Sequence, residues 1–223
     1  MNNDPVILYE DGDLWICRKP AGMLTEAADG NGLADLLAAR NGGYAGVIHR
    51  LDREVSGVTV WAKTPESAAR LSALVAGHRL GKEYLAAVAG IPDGPEGELR
   101  DLLYYDRAKN KVFPVRRMRG GVREAILRYR VAKTLTLPGI GTVSLVRVEP
   151  LTGRTHQIRV QFASRGHAVI GDRRYGGAAL PEGLPKGQIL LSCRAITIPG
   201  PDGDRTFCED PDWLRFVDPV SGS

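Results

Sequence analysis

The sequence lacks several things whose absence narrows the field. Cys17, Cys193 and Cys208 form an odd set with no C-x-x-C pair and no histidine at ligand spacing. That excludes a disulfide framework and an ordinary zinc site, and predicts three reduced structural thiols. No apolar run approaches the roughly 20 residues that cross a bilayer. The opening MNNDPVILYEDGD is acidic and lacks the charged-then-apolar layout of a signal peptide. A cytoplasmic protein away from membranes is therefore expected. There is no low-complexity tract, fixed-period repeat or heptad run, and no exposed apolar helix suggests a partner copy, so a monomer is expected. Nor is there a P-loop, a G-x-G-x-x-G or an H-E-x-x-H string, so nothing calls for a nucleotide, cofactor or metal.

What is present fits one ordinary domain. The chain has 223 residues, 43% hydrophobic and 25% charged, close to the soluble globular average. We expect one domain over 1–223, with a core from about residue 6 to 198 and a loosely ordered tail over 199–223. The formal charge is +4, which permits a polyanionic partner without demanding one. Its distribution says more. Arg107, Lys109, Lys111, Arg116, Arg117, Arg119 and Arg123 fall in one stretch with no acidic residue. Alone this reads as a solvated hairpin; beside the motifs below it reads as a phosphate-facing one, with Arg116 and Arg117 as candidate phosphate contacts.

Along the chain, Val6–Tyr9 and Leu14–Cys17 flank an Asp11-Gly12-Asp13 turn and predict a hairpin. LADLLAAR (33–40) predicts a short helix ended by Gly42-Gly43. Val47-Ile48 and 58–62 predict strands around an irregular loop at 49–57, the second strand half-buried by its period-2 alternation. A helix follows over 65–77, then a strand at 83–89 and a Pro/Gly-rich surface loop at 91–100. Strands are expected near 111–117, 124–133, 142–149 and 189–198. A helix over 154–165 would be capped by Thr155 and ended by Gly166. Many strands, few helices and short connections predict an α+β fold, with a mixed, mainly antiparallel central sheet and flanking helices and loops.

Three segments put polar residues where a simple core would not. They are His49-Arg50-Leu51-Asp52-Arg53-Glu54-Val55-Ser56-Gly57, Lys82-Glu83-Tyr84, and Gly153-Arg154-Thr155-His156-Gln157-Ile158-Arg159 followed by Gly166-His167-Ala168-Val169-Ile170-Gly171-Asp172. The first resembles the H-R-L-D-x-x-(T)-S-G signature of the RluA-type pseudouridine synthases. The third is similar to that family's G-R-T-H-Q-I-R…G-H-x-I-x-G-D signature. Lys82-Glu83-Tyr84-Leu85-Ala86 resembles its K-x-Y-x-A strand, and Arg18-Lys19-Pro20-Ala21-Gly22 its N-K-P-A-G. The matches come in family order from about residue 6 to 198. Val55, Arg18 and Leu191-Ser192-Cys193 depart from the usual Thr, Asn and L-H-A. These departures bear on subgroup and substrate and remove no group the chemistry needs. The resemblance also implies a pseudouridine synthase fold in a single catalytic domain; since the matches start near residue 6, the small N-terminal RNA-binding module that some relatives carry is not expected before it.

The resemblance implies isomerisation of uridine to pseudouridine in structured tRNA or ribosomal RNA, without cofactor or metal. Breaking the N1–C1′ bond develops positive charge on the sugar, which a close carboxylate stabilises or traps. By resemblance Asp52 is that carboxylate, Arg159 the cation that keeps it ionised and oriented, and Tyr84 the ring against the uracil. Leu191 would pack on the base's other face, and Arg50 would fill the space left by the flipped base. His49 and Arg154 complete the candidate RNA-binding set, Arg154 either binding phosphate or bracing its loop. His49, His156 and His167 lack metal-ligand spacing, and backbone hydrogen bonding suits them better. The competing reading is a structured-RNA binding or RNA-folding protein on the same scaffold; it leaves Asp52, facing a polyanion, without a purpose.

Overall fold

The computed structural model describes residues 5–28 and 30–218, so residues 219–223 of the expected tail lie outside it. The chain divides into two compact units, one of Met1–Lys82 with Ser192–Pro211, the other of Glu83–Leu191 with Asp212–Ser223.

The first unit opens with the expected hairpin, β1 (Val6–Glu10) against β2 (Leu14–Lys19). Asp11 makes its turn by accepting from the Asp13 and Leu14 N–H groups, both at 2.9 Å. After α1 (Leu33–Arg40) come β3 (Gly46–Val47) and β4 (Ser56–Ala62), and β4 pairs with both β2 and β3. The strand β4 is not half-buried as expected: all but its first residue are buried. Trp61 packs with Trp15, Leu33 and Leu37 beneath α1, and α2 (Pro65–Ala76) also packs on β4. A strand covered by a helix and further packing has no solvent face to carry polar alternation. The start of α2 follows its sequence: Thr64 Oγ1 accepts from the Ser67 N–H at 3.1 Å, with Pro65 in the first turn.

The second unit is an antiparallel sheet built from β5 (Gly81–Ala89), β6 (Glu96–Asp106), β7 (Lys111–Val115), β8 (Val122–Leu137) and β9 (Gly141–Pro150), in the order β5-β9-β8-β6-β7. Residues 96–100, expected in a loop, are strand. The Pro and Gly that signalled the loop crowd its first residues, while Leu99 and Leu103 already point to the buried side. A short helix, α3 (Gln157–Ala163), lies against β6 and β7.

The last strands return to the first unit: β10 (Leu191–Ile198) runs parallel to β4, and β11 (Arg205–Cys208) pairs antiparallel with β10. The parallel pairing of β10 with β4 among antiparallel ones makes the architecture mixed and mainly antiparallel, an α+β fold as expected. Residues 199–218 are not loose. β11 continues a sheet, and Trp213, just before α4 (Leu214–Val217), is buried among Leu85, Ile170 and Leu190 of the second unit. No helix among the described residues is long and apolar enough to cross a membrane.

Candidate active site

In the first unit, Asp52 sits in the loop between β3 and β4, and that loop is held from several sides. Thr25, itself buried, brackets the preceding residue: its Oγ1 accepts from the Leu51 N–H at 3.2 Å and donates to the Leu51 carbonyl at 3.0 Å. The residue after Asp52 is bracketed too. The Gly22 N–H donates to the Arg53 carbonyl at 2.7 Å, and Arg53 Nε returns a bond to the Gly22 carbonyl at 2.9 Å. Gly22 holds φ +88, a left-handed conformation that a side chain would resist. The turn closes on itself through the Val55 N–H and the Asp52 carbonyl, 3.1 Å apart.

Lys19 lies fully buried below this turn. Its Nζ donates to the carbonyls of Pro20 at 3.0 Å, Met23 at 2.7 Å and Arg53 at 3.4 Å. Burial pushes its ammonium down to about 8, with the charges of Asp52 and Glu54 pulling it back up. Behind the loop, Gly57 at φ +128 has no room for a Cβ, which would drive into the Cys193 backbone. The Ser192 hydroxyl donates to the Ser56 carbonyl at 3.0 Å beside that approach. Arg18, where the family usually has Asn, holds Glu209 by two 2.9 Å bonds from Nε.

His49 is buried, and its Nε2 accepts from the Val60 N–H at 3.3 Å. Burial, with help from the nearby Lys82 charge, pushes it down to about 3, so the ring is neutral. His49 is thus a buried, neutral ring bonded to β4 beside the Asp52 loop. Arg50 is exposed, its nearest carboxylate Glu26 at 3.5 Å.

In the second unit, Tyr84 stands half-buried on β5 opposite Val148 of β9. Arg159 lies on α3 and is almost wholly buried. Asp172, equally buried, grips it with two bonds, Nε to Oδ2 at 2.7 Å and Nη2 to Oδ1 at 3.0 Å. A forked pair of this kind fixes the plane of the guanidinium as well as its charge. Asp172 ends the third family string, thirteen residues after Arg159 and behind the left-handed Gly171, and nothing in the string itself marked it as Arg159's partner.

The start of α3 differs from expectation. Thr155 does not cap it. His156 takes the N-cap place in a left-handed conformation, φ +51, and the helix begins at Gln157. Gln157 reaches back to fix the loop: its Oε1 accepts from the Arg154 N–H at 3.0 Å and the Thr152 hydroxyl at 2.8 Å, and its Nε2 donates to the Ile126 carbonyl at 3.0 Å. Arg154 Nε donates to the Glu124 carbonyl at 2.9 Å, so this side chain braces the loop against β8. Leu191, at the first position of β10, is buried. Arg116 and Arg117 are exposed between β7 and β8, and among the described residues neither forms an ion pair. The described residues hold no His, Cys, Asp and Glu group suited to a metal ion.

Residues 13–164 match the RNA pseudouridylate synthase family. A protein of Chlorobaculum parvum described as an uncharacterized RNA pseudouridine synthase is 36% identical over 195 residues, which cover 80% of this chain and 57% of that one. Ribosomal large subunit pseudouridine synthase D of Xanthomonas campestris is 32% identical over 226 residues, 97% of this chain and 62% of that one. The chain thus spans a little over half the length of the curated relatives it matches. Among solved structures, human RNA pseudouridylate synthase domain containing 1 has the same fold, with a TM-score of 0.79 at 24% identity, covering 97% of this chain and 87% of that one. The family match takes in the Asp52 loop, Tyr84 and Arg159: the chain belongs to the RNA pseudouridylate synthase family, of the RluA type its motifs resemble.

Proposed function

We propose that the protein isomerises specific uridines to pseudouridine in tRNA or ribosomal RNA, with Asp52 as the essential carboxylate. The observation that carries this is the construction around Asp52. Leu51 and Arg53 are both tied down by hydrogen bonds, and a buried ammonium lies beneath the turn. An ordinary surface aspartate needs no such support, whereas a group that must meet C1′ within a fraction of an ångström does. In this reading Arg159 keeps Asp52 ionised, Tyr84 lies along the uracil and takes part in proton removal from C5, and Leu191 bounds the base. Arg50, exposed and forked, holds the place of the flipped nucleotide. Arg116 and Arg117 meet phosphates, Arg154 braces the loop it belongs to, and no cofactor or metal takes part. The protein works in the cytoplasm as a monomer, a location compatible with three thiols that form no disulfide.

Two routes use this carboxylate. Asp52 attacks C1′ as a nucleophile, or it removes the C2′ proton as a glycal forms. Deuterium at C2′ separates them, since only the second route gives a primary isotope effect. The reading itself is tested with purified protein and deproteinised RNA from cells lacking the gene. Wild type is expected to form pseudouridine without added cofactor, and Asp52→Asn to form none while still binding RNA. Full activity in Asp52→Asn would sink the assignment.

A further inference from the structure

The strand β7 is the edge of its sheet, so N–H groups on its outer side have no neighbouring strand to bond. The Val112 N–H finds a side chain instead, the Tyr175 hydroxyl at 2.9 Å. The same oxygen lies 2.9 Å from His156 Nδ1, and the two rings meet edge-on. His156 is the left-handed residue that opens α3. The Tyr175 ring also lies 5.5 Å from the Arg159 guanidinium carbon and 5.3 Å from Lys111 Nζ. Its own N–H donates to the Asp172 carbonyl at 3.1 Å, the residue whose carboxylate grips Arg159. One phenol thus touches a strand of the basic hairpin, the residue that opens α3, and the guanidinium on that helix.

The hydroxyl has one proton to donate and two lone pairs. It accepts from Val112, and between it and His156 one further bond is satisfied whichever ring tautomer is present. Burial raises its pKa, so the phenol stays neutral. Both sides of the oxygen are occupied by protein, which makes it a poor proton donor to a substrate and a good strut. The hairpin end of the strut carries a run of positive charge: Arg116, Arg117 and Arg119 follow β7 directly, and Lys111 flanks Val112.

We propose that Tyr175 is a positioning residue that carries RNA engagement by the Arg107–Arg123 hairpin to the Arg159 guanidinium. The proposal rests on the RNA-modifying reading above. RNA that orders the hairpin holds Val112, Val112 holds the phenol, and the phenol holds the start of α3 and the face of Arg159. Without the hydroxyl, RNA still binds the hairpin, but binding no longer sets the guanidinium.

The test uses two variants on the full chain. Tyr175→Phe removes the oxygen and keeps the ring. His156→Asn keeps a residue at ease in the left-handed conformation and withdraws the imidazole. With RNA from cells lacking the gene, at saturation and with enzyme in excess, each is expected to lower the single-turnover rate by about three- to tenfold, the worth of one hydrogen bond. RNA affinity is expected to stay near wild type, melting temperature to fall by no more than the lost hydrogen bond costs, and the double variant to be no slower than the slower single one, since both cut the same link. A second readout needs no activity. Addition of the same RNA is expected to slow hydrogen exchange of the α3 amides in wild type, and to lose that effect in Tyr175→Phe. Wild-type rates in both variants, additive losses, or a rate loss with a larger fall in melting temperature overturn the proposal. So does undiminished α3 protection in Tyr175→Phe. If wild type forms no pseudouridine, the isomerase reading fails and the exchange experiment still decides the role of Tyr175.

Discussion

The two units hold their key residues by opposite means. Around Asp52 the first unit uses many separate ties: Thr25 on Leu51, Gly22 and Arg53 on each other, His49 on Val60, the hydroxyl of Ser192 on Ser56, and the buried Lys19 ammonium on three carbonyls. Around Arg159 the second unit uses a charged fork from Asp172, with the Tyr175 ring against it. Spread over many partners, no single one of these ties carries the placement of the Asp52 loop. The fork concentrates its hold in a buried ion pair, and a guanidinium left uncompensated in a low-dielectric interior is far more expensive than an unmet backbone group. The first arrangement should therefore fail gradually and the second abruptly.

Asp172→Ala is the sharpest way to break the comparison. Removing one side of a buried ion pair costs about 3–5 kcal/mol, and denaturant unfolding is expected to register a loss of that size. Replacing the pair by apolar residues, Asp172→Leu with Arg159→Met, should restore much of the stability and none of the activity. Thr25→Val comes next. It removes both bonds to Leu51 while keeping shape, and about 1–3 kcal/mol of stability should go with them. If Thr25→Val cost more than Asp172→Ala, the contrast between the units would be wrong.

His49 sharpens the same point through pH. Its folded pKa of about 3 lies below its ordinary value of 6.5. The unfolded chain therefore binds the extra proton between those values, and stability falls as pH falls through that window. The slope from this one group reaches at most about 1.4 kcal/mol per pH unit. His49→Gln is expected to flatten the acid limb of a stability–pH curve by up to that amount and leave the curve near pH 8 unbent. The smallest effect on folding belongs to the hairpin. Arg116→Glu with Arg117→Glu should change stability by less than about 0.5 kcal/mol. It should also weaken RNA binding and reduce the logarithmic salt slope by about 0.7–0.9 for each phosphate that no longer meets a cation. An unchanged slope would return that segment to a solvated hairpin.

Much of this was legible in the sequence because local chemistry and tertiary structure agree there. The β1–β2 turn, α1, and the Thr64 cap with Pro65 of α2 follow from residues that act on their neighbours. The family strings pointed to Asp52, Tyr84 and Arg159 as the candidate site. Elsewhere the deciding contacts are distant in sequence. Trp61 alternates like a half-exposed residue yet lies under Leu33 and Leu37. Glu96 to Arg100 carry loop-like residues, but β8 supplies the partner that makes them strand. Thr155 has the composition of a cap, while Gln157 reaches back and His156 takes the left-handed turn. Trp213, in a Pro/Asp-rich stretch, anchors its segment in a core most of whose members lie many residues away. Asp172 was not legible as a partner of Arg159 because the string that contains it names a residue type and not what that residue touches.

The most direct test of the account is pseudouridine mapping on total cellular RNA from a strain lacking the gene, complemented with wild type or with Asp52→Ala. The account predicts at least one uridine in tRNA or ribosomal RNA that is modified with wild type and unmodified with Asp52→Ala, at equal protein levels. Identical maps from the two strains, with wild type restoring no site, would contradict it.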